Sequence, residues 1–324
     1  ELKNQGKTII FITHKLREVL AVTDNLTVMR IGVVTGRLIT KDTDTHELSR
    51  LMVGRDIDLR IPMAAYQPGE EVIKVSNLSV FSKRNLQAVK DVSFSIKSGE
   101  IVGIAGVEGN GQTELIEAIS GMTRIEGGEI QFMGEKINKF SVRRRREKGM
   151  SHIPEDRLKI GLSKNCTIRD NLILNWYYKK PYCKASVLDN RKLQSLSETL
   201  CKEYQIKTPD SRYKLGTLSG GNMQKVVFAR EVSSDPRLLI AAQPTRGVDI
   251  GAIEYIHHKI VELRDKGKAI MLVSAELDEI MSLSDRILVM YEGCIVAQFK
   301  RGEADQQTIG MYMMGAKKQE AGIV

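Results

Sequence analysis

A glycine-rich segment that follows an apolar run constrains the fold of this chain more than any other feature. Residues 106–113 read Gly-Val-Glu-Gly-Asn-Gly-Gln-Thr, directly after the apolar run 101–105. That run is typical of a buried parallel strand, and residues 113–120 predict the helix that follows it. Glycines let a backbone turn its N–H groups toward a phosphate, and a helix N-terminus adds partial positive charge. The pattern predicts an α/β fold with a phosphate-binding loop, whose glycines are Gly106, Gly109 and Gly111.

The residue that carries positive charge in such a loop is absent here. The pattern GxxxxGK[ST] has a lysine that meets the β- and γ-phosphates of a nucleotide, and Gln112 occupies that position. Gln112 can donate a neutral hydrogen bond, but it cannot neutralise charge. Thr113 keeps the hydroxyl that ligates magnesium in such loops, and Asn110 completes the candidate nucleotide contacts. We therefore expect this loop to hold a nucleotide weakly at best.

A second glycine motif opens a predicted helix further along the chain. Residues 218–222 read Leu-Ser-Gly-Gly-Asn. The N-terminus of that helix can aim N–H groups and a serine hydroxyl at a γ-phosphate that another copy of the domain holds. Short glycine–serine strings are usually turns, but here an apolar helix and the apolar strand 238–242 follow in order. The candidate phosphate contacts of this motif are Ser219, Gly220 and Gly221.

These motifs resemble those of the ATP-binding cassette, or ABC, ATPases. The chain is similar to the C-terminal part of the tandem-cassette subunits of bacterial importers of simple sugars and nucleosides, with the nucleoside branch favoured. The resemblance implies ATP and Mg²⁺ as cofactors, and a P-loop NTPase fold with an antiparallel β sub-domain. It also implies a helical sub-domain at about 165–215, where residues 168–178 and 191–204 have helical periodicity. The segments that carry the resemblance are 106–115, 154–157, 218–225, 238–252 and 274–280.

Several residues depart from the family pattern. The strand that resembles Walker B ends in Ala242 and Gln243, where the family has the aspartate that binds magnesium and the glutamate that activates water. Ala275 replaces the switch histidine that senses the γ-phosphate, and Glu155 stands at the position of the Q-loop glutamine. Because Gln112 departs as well, the resemblance implies that this nucleotide site is hydrolytically silent.

An internal repeat links the two ends of the chain. Residues 262–268 align without gaps on residues 1–7, which indicates the tail of one cassette followed by a second. Residues 1–40 predict a strand, a helix and a strand pair, and residues 43–52 predict a short helix. Since Glu1 lies inside a predicted helix, we expect the chain to be a fragment of a longer protein. The predicted boundaries are 1–53 for the first copy, 54–70 for a linker and 71–324 for the second copy.

His14 is the candidate catalytic residue of the first copy. It aligns with Ala275 and follows the predicted apolar strand 8–12, where an α/β sheet places its functional groups. A lone histidine after a strand is more often structural than catalytic. The internal repeat nevertheless favours the role of the switch histidine, which senses the γ-phosphate. In the family geometry two cassettes join head to tail, so His14 and the motif 218–222 share the hydrolysing site. Asp249 resembles the D-loop aspartate that links the two sites.

The resemblance also implies partners and a location. The partners are membrane-spanning permease subunits, an extracytoplasmic solute-binding protein that acts through them, and a cassette within the same chain or in a second copy. The location is the cytoplasmic face of the membrane, in peripheral association. The aromatic cluster 176–178 is either an exposed contact for a membrane subunit or core, with core favoured. Two alternatives stay open: a non-catalytic fragment that only docks on a permease, and a soluble ABC ATPase without a transport role.

Composition and charge limit the remaining possibilities. The net charge of +9 and the arginine run 143–146 point toward nucleic acid, but no aromatic residue interleaves the run, which is typical of a solvated helix face. Nucleic acid is therefore disfavoured as a partner. The four cysteines have no CxxC spacing, which disfavours disulfides and a zinc site. No apolar stretch reaches the roughly 18 residues that a membrane span needs.

Overall fold

The computed structural model describes residues 2–13, 15–30, 32–56, 61–65, 67 and 69–319. By their internal contacts the residues fall into two units, Glu1–Arg60 with Val248–Tyr255, and Ile61–Gly247 with Ile256–Val324. His14, the candidate catalytic residue of the first copy, lies outside the described residues.

The smaller unit packs two helices against a β-hairpin. Its helices are α1 (Leu16–Val22) and α2 (Thr45–Val53), and its antiparallel strands are β1 (Asn25–Arg30) and β2 (Val33–Ile39). Its buried core consists of Leu26, Val28 and Leu48. Helix α2 begins at Asp44, whose carboxylate accepts a hydrogen bond from the Glu47 N–H at 2.8 Å, and ends at Gly54 in the left-handed region. The predicted helix at 43–52 and the predicted strand pair are confirmed.

The predicted strand at residues 8–12 is wrong. Residues 7–13 carry no regular secondary structure, and Ile10 and Ile12 are 89% and 92% exposed. The matching segment of the second copy, Ala269–Val273, is a strand because it has a hydrogen-bonded neighbour on each side. In the described part of the chain no strand pairs with residues 8–12, and an apolar run without such a neighbour leaves its backbone groups unpaired.

Three sheets, one of them a short two-stranded pair, and flanking helices form the larger unit. Its strands, in chain order, are β3 (Glu71–Phe81), β4 (Gln87–Lys97), β5 (Ile101–Ala105), β6 (Gly127–Phe132), β7 (Glu135–Lys136), β8 (Met150–Ile153), β9 (Cys183–Lys184), β10 (Val187–Leu188), β11 (Leu238–Ala242), β12 (Ala269–Val273), β13 (Arg286–Tyr291) and β14 (Cys294–Lys300). The remaining helices are α3 (Gln112–Ser120), α4 (Val142–Glu147), α5 (Ile168–Leu172), α6 (Asn190–Glu203), α7 (Gly220–Val232), α8 (Ile250–Asp265), α9 (Leu277–Leu283) and α10 (Gln306–Met313).

A six-stranded sheet lies at the centre of this unit. Its order is β14–β13–β5–β12–β11–β8, and only β14 runs antiparallel to its neighbour. Every residue of β5, β11 and β12 is buried, as expected for strands covered on both faces. The predicted buried strands at 101–105 and 238–242 are confirmed. Because the parallel strands share one direction, their carboxyl ends meet along one edge.

A four-stranded antiparallel sheet packs against the central sheet. Its order is β4–β3–β6–β7. One buried apolar cluster joins side chains of both sheets with those of α3, and it includes Phe94, Ile104, Leu115, Ile130 and Leu288. The antiparallel β sub-domain expected from the sequence is therefore present, and the larger unit has the P-loop cassette fold.

The helical region differs in detail from the prediction. Helix α5 begins with a capping box between Thr167 and Asp170, but it ends at Leu172 and continues as a 3₁₀ turn at Ile173–Asn175 rather than reaching residue 178. The short antiparallel pair β9–β10 follows, which the periodicity did not predict. The aromatic cluster 176–178 lies only half-buried, so the prediction that it belongs to the core is wrong.

The arginine run is only partly a solvated face. It lies in α4, as predicted, but Arg145 is 2% exposed. Its guanidinium donates to the carbonyl oxygens of Ala118, Ile119 and Ile137 at 2.7, 2.6 and 2.9 Å. The last turn of a helix leaves such carbonyls without partners in the helix. Arg145 therefore caps the end of α3, a role that a count of charges does not reveal.

A buried charged cluster joins α4, α7 and β8. Glu231 is fully buried, and its carboxylate pairs with Arg146 and, at 2.8 Å, with Arg230. Burial alone would raise the pKa of Glu231, but the two guanidinium groups hold it below its ordinary value. The backbone N–H of His152 donates to Glu231 at 3.4 Å. Burial of the imidazole lowers the pKa of His152 to about 4.

This cluster predicts a pH-dependent stability. Between pH 6.5 and 4 the unfolded chain binds a proton at His152 that the folded chain does not bind, so the free energy of unfolding falls as the pH falls. At about 1.4 kcal/mol for each pKa unit, we expect a loss of about 3 kcal/mol across this window. His152→Gln should remove that part of the slope in urea unfolding, whereas His258→Gln, at an exposed histidine, should not. Equal slopes in the two variants would contradict the assignment.

Candidate nucleotide site

The glycine-rich loop joins β5 to α3 in a conformation that needs glycine. Gly109 and Gly111 have φ of 96° and 100°, in the left-handed region. A Cβ atom on Gly111 would lie 2.1 Å from the Ala88 carbonyl oxygen. The loop is also tied to the β13–β14 turn, because Asn110 accepts hydrogen bonds from the N–H groups of Glu292 and Gly293 at 3.0 and 3.1 Å. The predicted loop between β5 and α3 is therefore present, and its phosphate-binding role stays a prediction.

Gln112 folds back onto this loop. Its side chain is buried, and Nε2 donates to the Val107 carbonyl oxygen at 3.2 Å. A Cβ atom on Gly106 would lie 2.2 Å from Nε2, so the amide packs directly against that glycine. The amide of Gln112 thus donates a hydrogen bond to the backbone of its own loop. The position that carries a lysine in the GxxxxGK[ST] pattern supplies no charge here.

A cavity of about 550 Å³ opens beside the loop. It is large enough for a nucleotide-sized ligand. Phe81, at the end of β3, is 40% exposed, and its ring can stack on a base. The sequence analysis missed this group, although an aromatic residue followed by Lys83 and Arg84 was a usable signal. Lining residues include Phe81, Lys83, Arg84, Lys90, Gly109, Asn110 and Thr113.

The segment that follows β8 contacts the first turn of α3. The Thr113 hydroxyl donates to Glu155 Oε2 at 3.4 Å, and Glu155 Oε1 accepts from Arg246 at 2.8 Å. The predicted magnesium ligand Thr113 and the predicted Q-loop residue Glu155 therefore contact each other directly. Arg246 joins them, although the sequence analysis did not single it out.

The carboxyl end of β11 carries no carboxylate. Ala242 is buried, and Gln243 follows it with φ of 48°. The Gln243 side-chain oxygen accepts a hydrogen bond from the Ala275 N–H at 3.1 Å. Two of the residues that depart from the family pattern therefore contact each other. Among the described residues no group of three or more His, Cys, Asp or Glu side chains is placed to hold a metal ion. The end of β11 therefore offers no carboxylate to a magnesium ion, and the magnesium role of Thr113 stays a prediction.

The second glycine motif forms the start of α7, as predicted. The Ser219 hydroxyl accepts hydrogen bonds from Asn222 Nδ2 at 3.0 Å and from the Asn222 N–H at 3.4 Å. A Cβ atom on Gly220 would lie 3.1 Å from an Arg157 nitrogen, and Gly221 is buried in the first turn. The N-terminus of α7 thus has the geometry of an anion-binding helix start.

Asp249 belongs to the smaller unit. Its carboxylate accepts a hydrogen bond from the Ala252 N–H at 3.0 Å, in the first turn of α8. The side chain therefore caps a helix, and its role as a link between two nucleotide sites stays a prediction.

The family comparison agrees with this geometry. Residues 89–246 match the family model described as ABC transporter. This segment is an ABC transporter ATP-binding domain. It contains the glycine-rich loop, β8, the start of α7 and β11.

Two relatives match nearly the whole chain. The guanosine import ATP-binding protein NupO of Bacillus subtilis is 46% identical over 99% of this chain and 63% of the relative. The nucleoside import ATP-binding protein NupA of Lactococcus lactis is 41% identical over 98% of this chain and 63% of the relative. The chain therefore spans somewhat less than two thirds of the length of these relatives.

A solved structure supports the fold. A dimeric ATP-binding cassette in a post-hydrolysis state with ADP and Pi has a TM-score of 0.61, at 21% identity over 70% of this chain and 98% of that protein. In the described part of this ABC domain and its flanks, none of the helices combines the length and apolar character of a bilayer crossing.

The geometry at Gln112 predicts that a lysine at this position strengthens ATP binding without restoring ATP hydrolysis. Gln112→Lys puts a charge at the phosphate position, and we expect it to strengthen ATP binding about ten-fold in equilibrium dialysis. Phosphate release should stay at background, because Ala242 and Gln243 still supply no carboxylate. Gln306→Lys, an equal charge change outside the cavity lining, should alter neither quantity. ATP turnover by the Gln112→Lys variant would contradict the assignment of β11.

Proposed function

We propose that the chain is part of the ATP-binding subunit of an ABC importer that uses ATP hydrolysis to take up nucleosides or simple sugars. The observation that carries this is the contrast between an intact Ser219–Gly220–Gly221 helix start and a loop without charge at Gln112. The names of NupO and NupA favour nucleosides. In this proposal residues 1–53 end a first cassette, residues 54–70 are a linker and residues 71–324 form a second cassette.

The nucleotide site of the second cassette holds a nucleotide without hydrolysing it. Phe81 stacks on the base, and the backbone N–H groups of the glycine-rich loop receive the phosphates. Attack on the γ-phosphate needs a positioned water and a neutralised phosphate. Gln112, Ala242 and Ala275 supply neither of these. A loop that is held in place but lacks the lysine favours binding over turnover.

Hydrolysis belongs to the site that the first cassette completes. Two cassettes join head to tail, and each ATP lies between the loop of one and the glycine motif of the other. Ser219, Gly220 and Gly221 then face MgATP held by the first cassette, whose own residues supply the lysine and carboxylates. His14 is the γ-phosphate sensor of that site, and Asp249 links it to the silent site.

The permease partner docks on an apolar groove beside the helical region. A cavity of about 250 Å³ there is lined by α4, β8 and the segment after it. Its rim includes four exposed apolar side chains, which suit a partner helix: Met122, Val142, Ile160 and Leu174. The half-buried aromatic cluster 176–178 follows Leu174 in the chain. Docking to membrane-spanning permease subunits places the protein at the cytoplasmic face of the membrane, with the solute-binding protein acting through the permease.

A substitution at Ser219 tests the shared site. Ser219→Asp keeps a good N-cap for α7 but adds a negative charge next to the γ-phosphate of the partner site. When the chain is mixed with an intact cassette that bears the lysine, we expect the variant to lower phosphate release about 100-fold relative to the unchanged chain.

Ser141→Asp is the matched control. Ser141 caps α4 in the same way, by accepting a hydrogen bond from the Arg144 N–H, so the substitution repeats the chemistry at another helix start. This control should leave phosphate release unchanged. If Ser219→Asp also leaves it unchanged, the glycine motif does not act on the partner's ATP and the proposal fails.

A further inference from the structure

Arg246 lies over the mouth of the glycine-rich loop between two carboxylates. Its guanidinium is 2.8 Å from Glu155 and 3.9 Å from Glu108, which belongs to the loop itself. Glu108 and Arg246 are 74% and 55% exposed, so both can meet a ligand. Without a cation at this place, the two carboxylates would repel an incoming phosphate.

The backbone beneath Arg246 is fixed. The Arg157 guanidinium donates to the carbonyl oxygens of Arg246 and of Gly247, the latter at 3.0 Å. Arg157 also packs against Gly220 at the start of α7. The Arg246 side chain is 55% exposed and contacts Glu155 and Glu108, the latter in the glycine-rich loop.

The oxygen atoms that a magnesium ion would use here are absent or engaged. Mg²⁺ requires a near-octahedral set of oxygen ligands. The Thr113 hydroxyl and Glu155 are joined to each other and to Arg246. Ala242 contributes no side-chain oxygen, and the Gln243 oxygen accepts the Ala275 N–H. The cation that contacts these carboxylates in the protein is the guanidinium of Arg246.

We propose that the site of the second cassette takes its nucleotide without magnesium, and that Arg246 supplies the positive charge in the metal's place. The inference rests on the proposed nucleotide-holding role of this site. Arginine suits the task because its planar guanidinium can donate two parallel hydrogen bonds to one phosphate and stays charged at any physiological pH. The Arg246 guanidinium offsets part of the negative charge of Glu108 and Glu155, and it is the positive group that the β- and γ-phosphates meet.

Calorimetric titration of the 324-residue chain with ATP tests the inference. We expect the dissociation constant in EDTA to lie within about three-fold of the value in excess Mg²⁺. Arg246→Gln should weaken binding in EDTA about ten-fold, because a charged hydrogen-bond donor is lost. Arg212→Gln, which breaks an exposed arginine–aspartate pair in the helical region, is the matched control and should leave ATP binding unchanged.

A second variant keeps the test independent of any folding defect in Arg246→Gln. Glu108→Gln removes one carboxylate that competes for Arg246, so ATP binding in EDTA should become several-fold tighter. Binding that appears only with Mg²⁺, or a Glu108→Gln variant that binds ATP more weakly, would overturn this inference and leave the proposed function standing. No ATP binding in either buffer would overturn both.

Discussion

The parallel pairing of neighbouring strands is the constraint on which the nucleotide site depends. Strands β5, β8, β11 and β12 lie side by side in one direction, so the segments that follow them emerge at one edge of the sheet. This pairing brings together residues that are far apart in the chain, such as Thr113 with Glu155 and Gln243 with Ala275. The departures from the family pattern are therefore neighbours in one site.

Two of the replaced residues, Gln112 and Gln243, make neutral contacts. The Gln112 amide satisfies a carbonyl of its own loop, and the Gln243 side chain satisfies the Ala275 N–H. A charged lysine and a charged carboxylate would each demand a partner of opposite charge in a partly buried place. Neutral amides do not, so the scaffold stays intact while the groups needed for phosphoryl transfer are absent. In the proposed function, this site therefore binds a nucleotide without cleaving it.

Local patterns in the sequence predicted the elements that their own residues determine. Strand β5, helix α3 and the start of α7 follow from apolar runs, glycines and a serine cap, and all three are confirmed. The strand at 8–12 was wrong because a strand depends on neighbours that its own residues do not specify. Arg145 and Arg246 could not be distinguished from other surface arginines by pattern, since their roles come from distant carbonyls and carboxylates. Phe81 differs from these arginines, because the basic residues Lys83 and Arg84 that follow it were a signal in the sequence.

The central claim is that this ABC domain assembles a nucleotide site and lacks the groups for hydrolysis. A single-turnover experiment tests it most directly, with the chain in excess over ATP that carries a label on its γ-phosphate. The account predicts that the bound ATP is recovered intact after many hours, with Mg²⁺ or without it, at no more than the rate in buffer. Labelled phosphate that appears faster on the chain than in buffer, and faster still with Mg²⁺, would contradict it.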